Sequence, residues 1–328
     1  MRRSTWPRSC CFNERVRFVT AFDVLAVGEL NPDLILAGIK AKAPVLGTEQ
    51  EFASHRLTLG SSTAIACVLM QRLGLRTAMV ARIGDDDYGR FCQAALEAEG
   101  IDTGGVVVMP GVETGVTISL PYPQDRLLLT CYGTMSAMGA EAVSQAMLGR
   151  ARHLHSGSFF IQRRLRPGLA QLFAQAKAMG LSTSLDTGWD PDQRWLEADL
   201  QATLAHTDML FPNEVEFRHL TGSDDIVSGM AMLHGLGVGE VLLKRGAKGV
   251  VHSGPDGIAE QPGFAIIPVD TTGAGDACNA GYLAGRLEGL ALTKRLALAN
   301  ACGALTAQAI GGTGGLRSRS QADSLIAG

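Results

Sequence analysis

Val269-Asp270-Thr271-Thr272-Gly273-Ala274-Gly275-Asp276 is the stretch on which the reading of this chain turns, with the helical pattern of residues 277–290 behind it. An apolar approach over residues 264–269 enters a tight glycine turn, and the turn opens directly into a helix. Gly273 and Gly275 permit backbone angles and close approaches that a Cβ forbids. The first turn of a helix leaves N–H groups without partners, and these carry partial positive charge. Such a turn can hold an anion, phosphate being the common case. Asp276 is then anomalous, because a carboxylate beside a phosphate nest repels its ligand unless it has a chemical task. Accepting a proton from an attacking hydroxyl is such a task. Taken alone, the same Asp reads more simply as a helix cap.

Around this stretch, 328 residues allow two domains or one large α/β domain with an appendage. A hydrophobic fraction of 46% and 40 glycines fit a large core joined by many tight turns. The net charge is −3 and no basic run occurs, so neither nucleic acid nor a membrane surface is an expected partner. No apolar stretch is long enough to span a bilayer. The seven cysteines form no CxxC and no metal spacing with histidine, which predicts a reducing, cytoplasmic setting without disulfides. Residues 1–22 are basic and lack the apolar core of a secretory signal, so they read as a disordered extension. Residues 23–328 then form the working domain.

That domain has a rhythm. Val24-Leu25-Ala26-Val27 reads as a buried strand ending in the polar Glu29-Leu30-Asn31-Pro32-Asp33, at the edge where open α/β sheets place ligands. Gly60-Ser61-Ser62 opens a helix, and residues 77–83 form a strand running into a polar turn and another helix. This alternation predicts a parallel sheet with crossover helices. Residues 104–132 break it: residues 106–109, 114–120 and 126–131 read as short strands without helices between them. Together with residues 34–59 they predict a small sheet, a lid over the ligand edge. From residue 150 the alternation resumes, with strands ending at Asp186, at Pro212-Asn213-Glu214-Val215-Glu216 and at Lys244-Arg245-Gly246-Ala247-Lys248-Gly249. Asn213 and Glu216 have the spacing of a helix capping box. The chain has no GxGxxG after its first strand and no GxxxxGK[ST], which excludes a dinucleotide-binding Rossmann site there and a P-loop.

Asp270-Thr-Thr-Gly-Ala-Gly-Asp276, read as a strand-to-helix turn, resembles the signature of the ribokinase-like (PfkB-type) carbohydrate and nucleoside kinases. The segment 60–74, the run LGLRTAMVARIGDDDYG, Asn213-x-x-Glu216, Gly246-x-x-Gly249 and Asn300 resemble further landmarks of that family in the same order. The resemblance implies a three-layer α/β/α domain with a mostly parallel sheet plus the small lid, and an ATP-dependent sugar kinase. It makes Gly273, Ala274 and Gly275 the anion hole for the γ-phosphate and Asp276 the general base. It gives Asn213 and Glu216 the positioning of Mg²⁺ through waters. Lys244, Gly246, Gly249, Thr272 and Asn300 would line the nucleotide, with Lys244 standing where the family often has Thr. Asp270 and Thr272 resemble positions that bind a monovalent cation (K⁺) in some members. Asn31, Asp33, Gly60, Ser61 and Ser62 would bind the sugar, while Ile65 stands where many members carry a sugar-binding Asn. Gln162, Phe159 and Tyr132 are pocket candidates by location only. Lid strands often pair between subunits in this family, so a homodimer is expected through the lid. A nucleoside kinase ranks second, because only 5% of residues are aromatic and none cluster near Asn31 or Gly60. A catalytically inactive sugar-binding regulator ranks third, since Asp276 and its glycines are intact.

Overall fold

The computed structural model describes residues 20–122, 126–255 and 257–328. Strand β1 (Val24–Val27) leads through Asn31 into β2 (Pro32–Ala37), which pairs antiparallel with β3 (Ser54–Leu59). The helix Ser62–Arg72 follows, then β4 (Thr77–Gly84), the helix Asp87–Ala98 and β5 (Asp102–Met109). Strands β6 (Val116–Pro121) and β7 (Arg126–Cys131) form an antiparallel pair. Alternation then resumes with β8 (His153–Ser156), the helix Arg166–Ala178, β9 (Ser182–Leu185) and β10 (Met209–Leu210). The helix Glu214–Thr221 precedes β11 (Glu240–Lys244), β12 (Val250–Gly254) and β13 (Gly257–Gln261). Helices Ala274–Leu287, Leu292–Thr306 and Arg319–Ala327 close the chain.

Two sheets result. The large one has the order β13-β12-β11-β10-β9-β8-β1-β4-β5, parallel from β11 to β5 and antiparallel only at the β12 and β13 end. The small one has the order β3-β2-β6-β7. β1 shows why the middle of the large sheet reads as an unbroken apolar run. Leu25 and Val27 face a core with Leu154, Phe159 and Phe173, while Val24 faces the helices Ser62–Arg72 and Ala274–Leu287 on the other side. Both faces are covered, so alternation disappears from the sequence. This is the expected three-layer architecture with its appended sheet.

Three details differ from the sequence reading. Residues 106–109 do not join the lid; they belong to β5, which pairs parallel with β4 at the edge of the large sheet. The helix Asp87–Ala98 is a full crossover that returns the chain beside β4, and the exposed Val107 and Val108 are an edge strand's outer residues. The apolar approach at residues 264–269 forms no strand: Pro262, Gly263 and Pro268 interrupt it, and Ile267 is 86% exposed. Finally, Ala21 and Phe22 are held to the domain, both N–H groups donating to Arg150 O at 2.9 Å, with the Arg150 guanidinium over the Phe22 ring. The rest of the extension, residues 1–19, lies outside the described residues.

Candidate active site

The Gly273 turn is built as its composition requires. Gly273 has φ 73°, and a Cβ there would lie 2.4 Å from Gly312 Cα, so no other residue fits without displacing backbone. Asp270 fastens the loop: Oδ1 accepts from Thr272 N at 2.9 Å and Oδ2 from Gly311 N at 2.8 Å. Of the three expected anion-hole donors, Ala274 N–H already closes onto Thr271 O at 3.2 Å. Gly273 and Gly275 N–H donate to no protein acceptor among the described residues. They are the donors left for an anion.

Beneath this turn lies a cluster that residue spacing does not reveal. Lys244 Nζ donates to Asp186 Oδ2 at 2.6 Å, and Asn279 Nδ2 donates to the same oxygen at 2.6 Å. Gly188 N–H donates to Asp186 Oδ1 at 3.0 Å. The Lys244 and Asp186 side chains are only 12% and 6% exposed, so this is a nearly dry ion pair. A Cβ on Gly275 would stand 3.4 Å from Lys244 Nζ, which places the ammonium at the floor of the anion turn. Burial works against the charge on Lys244, but Asp186 and Glu216 outweigh it and hold the ammonium above its usual range. Burial likewise opposes ionisation of Asp186, and Lys244 with Asn279 overcomes it. Lys244 thus stands where the sequence reading put it, while Asp186 and Asn279 are additions. A polar Asn on the buried face of an otherwise apolar helix, one turn after Asp276, was the available signal.

Asp276 sits at the mouth of the same cluster. Burial, and then the charge of Asp186, push its carboxyl up to about 8, against the pull of Ser62 and Lys244. Ser62 Oγ donates to Asp276 Oδ1 at 2.6 Å across 214 residues of sequence. Ser61 caps the Ser62–Arg72 helix, its Oγ accepting from Ala64 N at 3.2 Å. The acceptor edge is compact: Gly60 N donates to Asn31 O at 2.9 Å, and the Asp33 carboxylate lies against Gly60, where a Cβ would be 2.1 Å from Oδ1. Asn31 is buried and donates to Pro32 O at 3.1 Å. Asn31, Asp33, Gly60, Ser61, Ser62 and Asp276 are therefore brought to one edge. Ile65 is not part of it; it is buried against Gly312, behind the Gly273 turn. Phe159 and Gln162 are also buried, Gln162 donating to Gly157 O, which makes both packing residues.

Asn213 and Glu216 form a complete capping box. Asn213 Oδ1 accepts from Val215 N and Glu216 N at 2.9 Å, and Glu216 Oε2 accepts from Asn213 N at 2.8 Å. Burial, then Asp186, push Glu216 up to about 7. No group of three or more His, Cys, Asp or Glu among the described residues makes a ready metal cage. The donor chemistry nonetheless suits a hard, water-rich cation. Asp186 and Glu216 are buried carboxylates, and Asn279 Oδ1 is buried without a partner among the described residues. On the far side, Lys244 N–H donates to Pro212 O at 2.8 Å, which draws the Gly246 and Gly249 turn beside Asn213. Arg245 pairs with Glu260 at 2.6 Å, and Asn300 donates to Gln261 O and Pro262 O at 3.0 Å. Asn300 thereby shapes the wall facing that turn.

Comparison with known proteins matches this chain to a family. The profile described as pfkB family carbohydrate kinase matches residues 21–319. The chain is 31% identical to an ATP-dependent ribose-1-phosphate kinase of Halopiger xanaduensis, over 93% of this chain and 97% of that protein. It is 29% identical to fructokinase-1 of Zea mays, over 75% and 81% of the two chains. A candidate ribokinase II from E. coli, solved in complex with ATP and Mg²⁺, shares the fold at a TM-score of 0.84 and 23% identity, covering 93% of this chain and 99% of that one. With a match spanning nearly its whole length, the chain belongs to the PfkB family of carbohydrate kinases.

Proposed function

We propose that this kinase transfers the γ-phosphate of ATP to a hydroxyl of a small sugar or sugar acid, with Asp276 as the general base. The observation that carries the reading is the convergence at one helix end of three things: the free N–H groups of Gly273 and Gly275, the Lys244 ammonium, and a carboxyl with raised proton affinity. Phosphoryl transfer asks for in-line positioning and neutralisation of spreading charge more than for covalent chemistry. Gly273, Gly275 and Lys244 supply the positive field for the transferring group. Asn31 and Asp33 orient the acceptor, and Asp276 takes the proton that its hydroxyl loses. Asp186, Glu216 and Asn279 would hold Mg²⁺, with Asn213 fixing the Glu216 carboxylate; bound there, it would supply positive charge to offset that of the phosphates.

Its relatives act on a pentose phosphate and on a ketohexose, as their names state. The acceptor class is tested by ADP release across a panel holding D-ribose, ribose 1-phosphate, D-fructose, 2-keto-3-deoxygluconate and adenosine. Turnover with at least one sugar or sugar acid is the expected result. Turnover with adenosine alone would overturn the reading in favour of a nucleoside kinase. The lid supports a further reading, a homodimer through β7, whose Leu127, Leu128 and Leu129 are 37%, 48% and 52% exposed on both faces of the strand. Light scattering of the purified protein should give twice the chain mass, and a monomer at assay concentration would end that reading.

A further inference from the structure

We propose that Ser62 aims the base. Resting on the reading that Asp276 takes the acceptor's proton, Ser62 is a positioning residue that fixes which carboxylate oxygen does so. Three observations meet at this hydroxyl. Its Oγ donates to Asp276 Oδ1 at 2.6 Å, a charge-assisted distance. Asp276 Oδ2 makes no hydrogen bond among the described residues, so one oxygen is held and the other is left for the acceptor. On the opposite side Gly157 presses close: a Cβ there would lie 2.7 Å from Ser62 Oγ, so the loop after β8 backs the hydroxyl. Gly157 N–H in turn donates to Thr63 Oγ1 at 3.1 Å, which locks loop and helix start together.

The backbone is arranged to deliver this contact. Ser61, just before the helix, has φ 72°, a left-handed angle that a non-glycine residue adopts only at a cost. Its side chain is tied at both ends, accepting from Ala64 N and donating to Glu29 O. That constrained cap sets the helix start so that Ser62, its first residue, reaches the first turn of the Ala274–Leu287 helix. Without Ser62 the carboxylate would rotate about χ2, and its oxygens would share the acceptor's place. With Ser62 in place, Oδ1 stays hydrogen-bonded to the Ser62 hydroxyl throughout turnover, while Oδ2 receives the acceptor's proton as the new O–P bond forms and the bond to ADP breaks.

The groups facing Asp276 are Ser62 on one helix, Glu29 after β1, Asp186 after β9 and Lys244 at the end of β11. Of these, Ser62 and Lys244 favour the ionised form, so losing Ser62 moves the acid limb of kcat/KM to higher pH. The test uses Ser62→Ala with D-ribose or D-fructose as acceptor, whichever the wild type turns over faster. Turnover should fall about tenfold, the factor that one hydrogen bond to a charged group is worth. The KM for ATP should stay within about twofold, and Ser62→Thr, which keeps the hydroxyl, should recover most of the rate. In an Asp276→Asn background, Ser62→Ala should add nothing further. A raised sugar KM with unchanged kcat, equal in both backgrounds, would make Ser62 a sugar ligand and overturn the proposal. An unchanged Ser62→Ala enzyme beside a disabled Asp276→Asn enzyme would overturn it and leave the base standing. An active Asp276→Asn enzyme would remove the base and this proposal together.

Discussion

Asp276→Asn lowers turnover by about 10²-fold or more while leaving ATP affinity within about twofold, because the amide keeps the shape of the carboxyl and cannot accept the proton. Single-turnover rates with the acceptor found by the panel, beside ATP binding by calorimetry, separate the two quantities. A variant with near-normal turnover would sink the general-base assignment. The same substitution carries an opposite sign for stability. The folded-state proton affinity of Asp276 is raised from 3.8 to about 8, so between these pH values the folded protein holds a proton that the unfolded chain releases. Ionising the group in place therefore costs stability as pH rises through that window. Asp276→Asn should match the wild type near pH 4 and exceed it near pH 8, measured as the denaturant midpoint. A variant less stable at pH 8 would show that the carboxylate is compensated by more than Ser62 and Lys244.

Lys244→Met should be the most damaging single change to stability in the site. It leaves the Asp186 charge buried beside Asn279 with its cation gone, and breaking a buried pair on one side costs about 3–5 kcal/mol. Adding Asp186→Asn to the same chain removes the stranded charge, so the double variant should recover most of the midpoint. Neither variant should regain turnover, since Lys244 also supplies the floor of the anion turn. Equal loss in single and double variants would mean that packing of the lysine stem, and not its charge, holds this part of the sheet.

What could be read in advance follows from which contacts are local. The strand-to-helix alternation and the glycine turn at Gly273 leave periodic or positional marks, so the architecture, the turn and the strand-end residues gathered beside it were legible. The 106–109 segment was misplaced because an edge strand exposed on one side looks the same in either sheet. Residues 264–269 misled because an apolar run leading into a turn has the composition of a strand, whereas here Ile267 and Val269 face outward. Asp186 joins Lys244 across 58 residues and Ser62 joins Asp276 across 214. No spacing rule reaches that far, so the ion pair beneath the turn and the partner of the base needed coordinates. Asn213 and Glu216 show the converse. Their local spacing predicts a cap, the resemblance adds a metal-positioning role, and the capping box leaves one Glu216 oxygen outside the cap.

Gly312 is not itself a candidate site residue, yet it abuts Gly273 on one side and Ile65 on the other; a Cβ on it would lie 2.3 Å from Ile65 Cδ1. Three segments that are remote along the chain therefore share one point with no atom to spare. The Ser62–Arg72 helix and the Gly273 turn cannot move closer without meeting there. Mutational freedom at residues 65 and 273 is thus not independent: a lineage that enlarges the side chain at residue 65 must do so within the space that Gly312 and the Gly273 turn leave it.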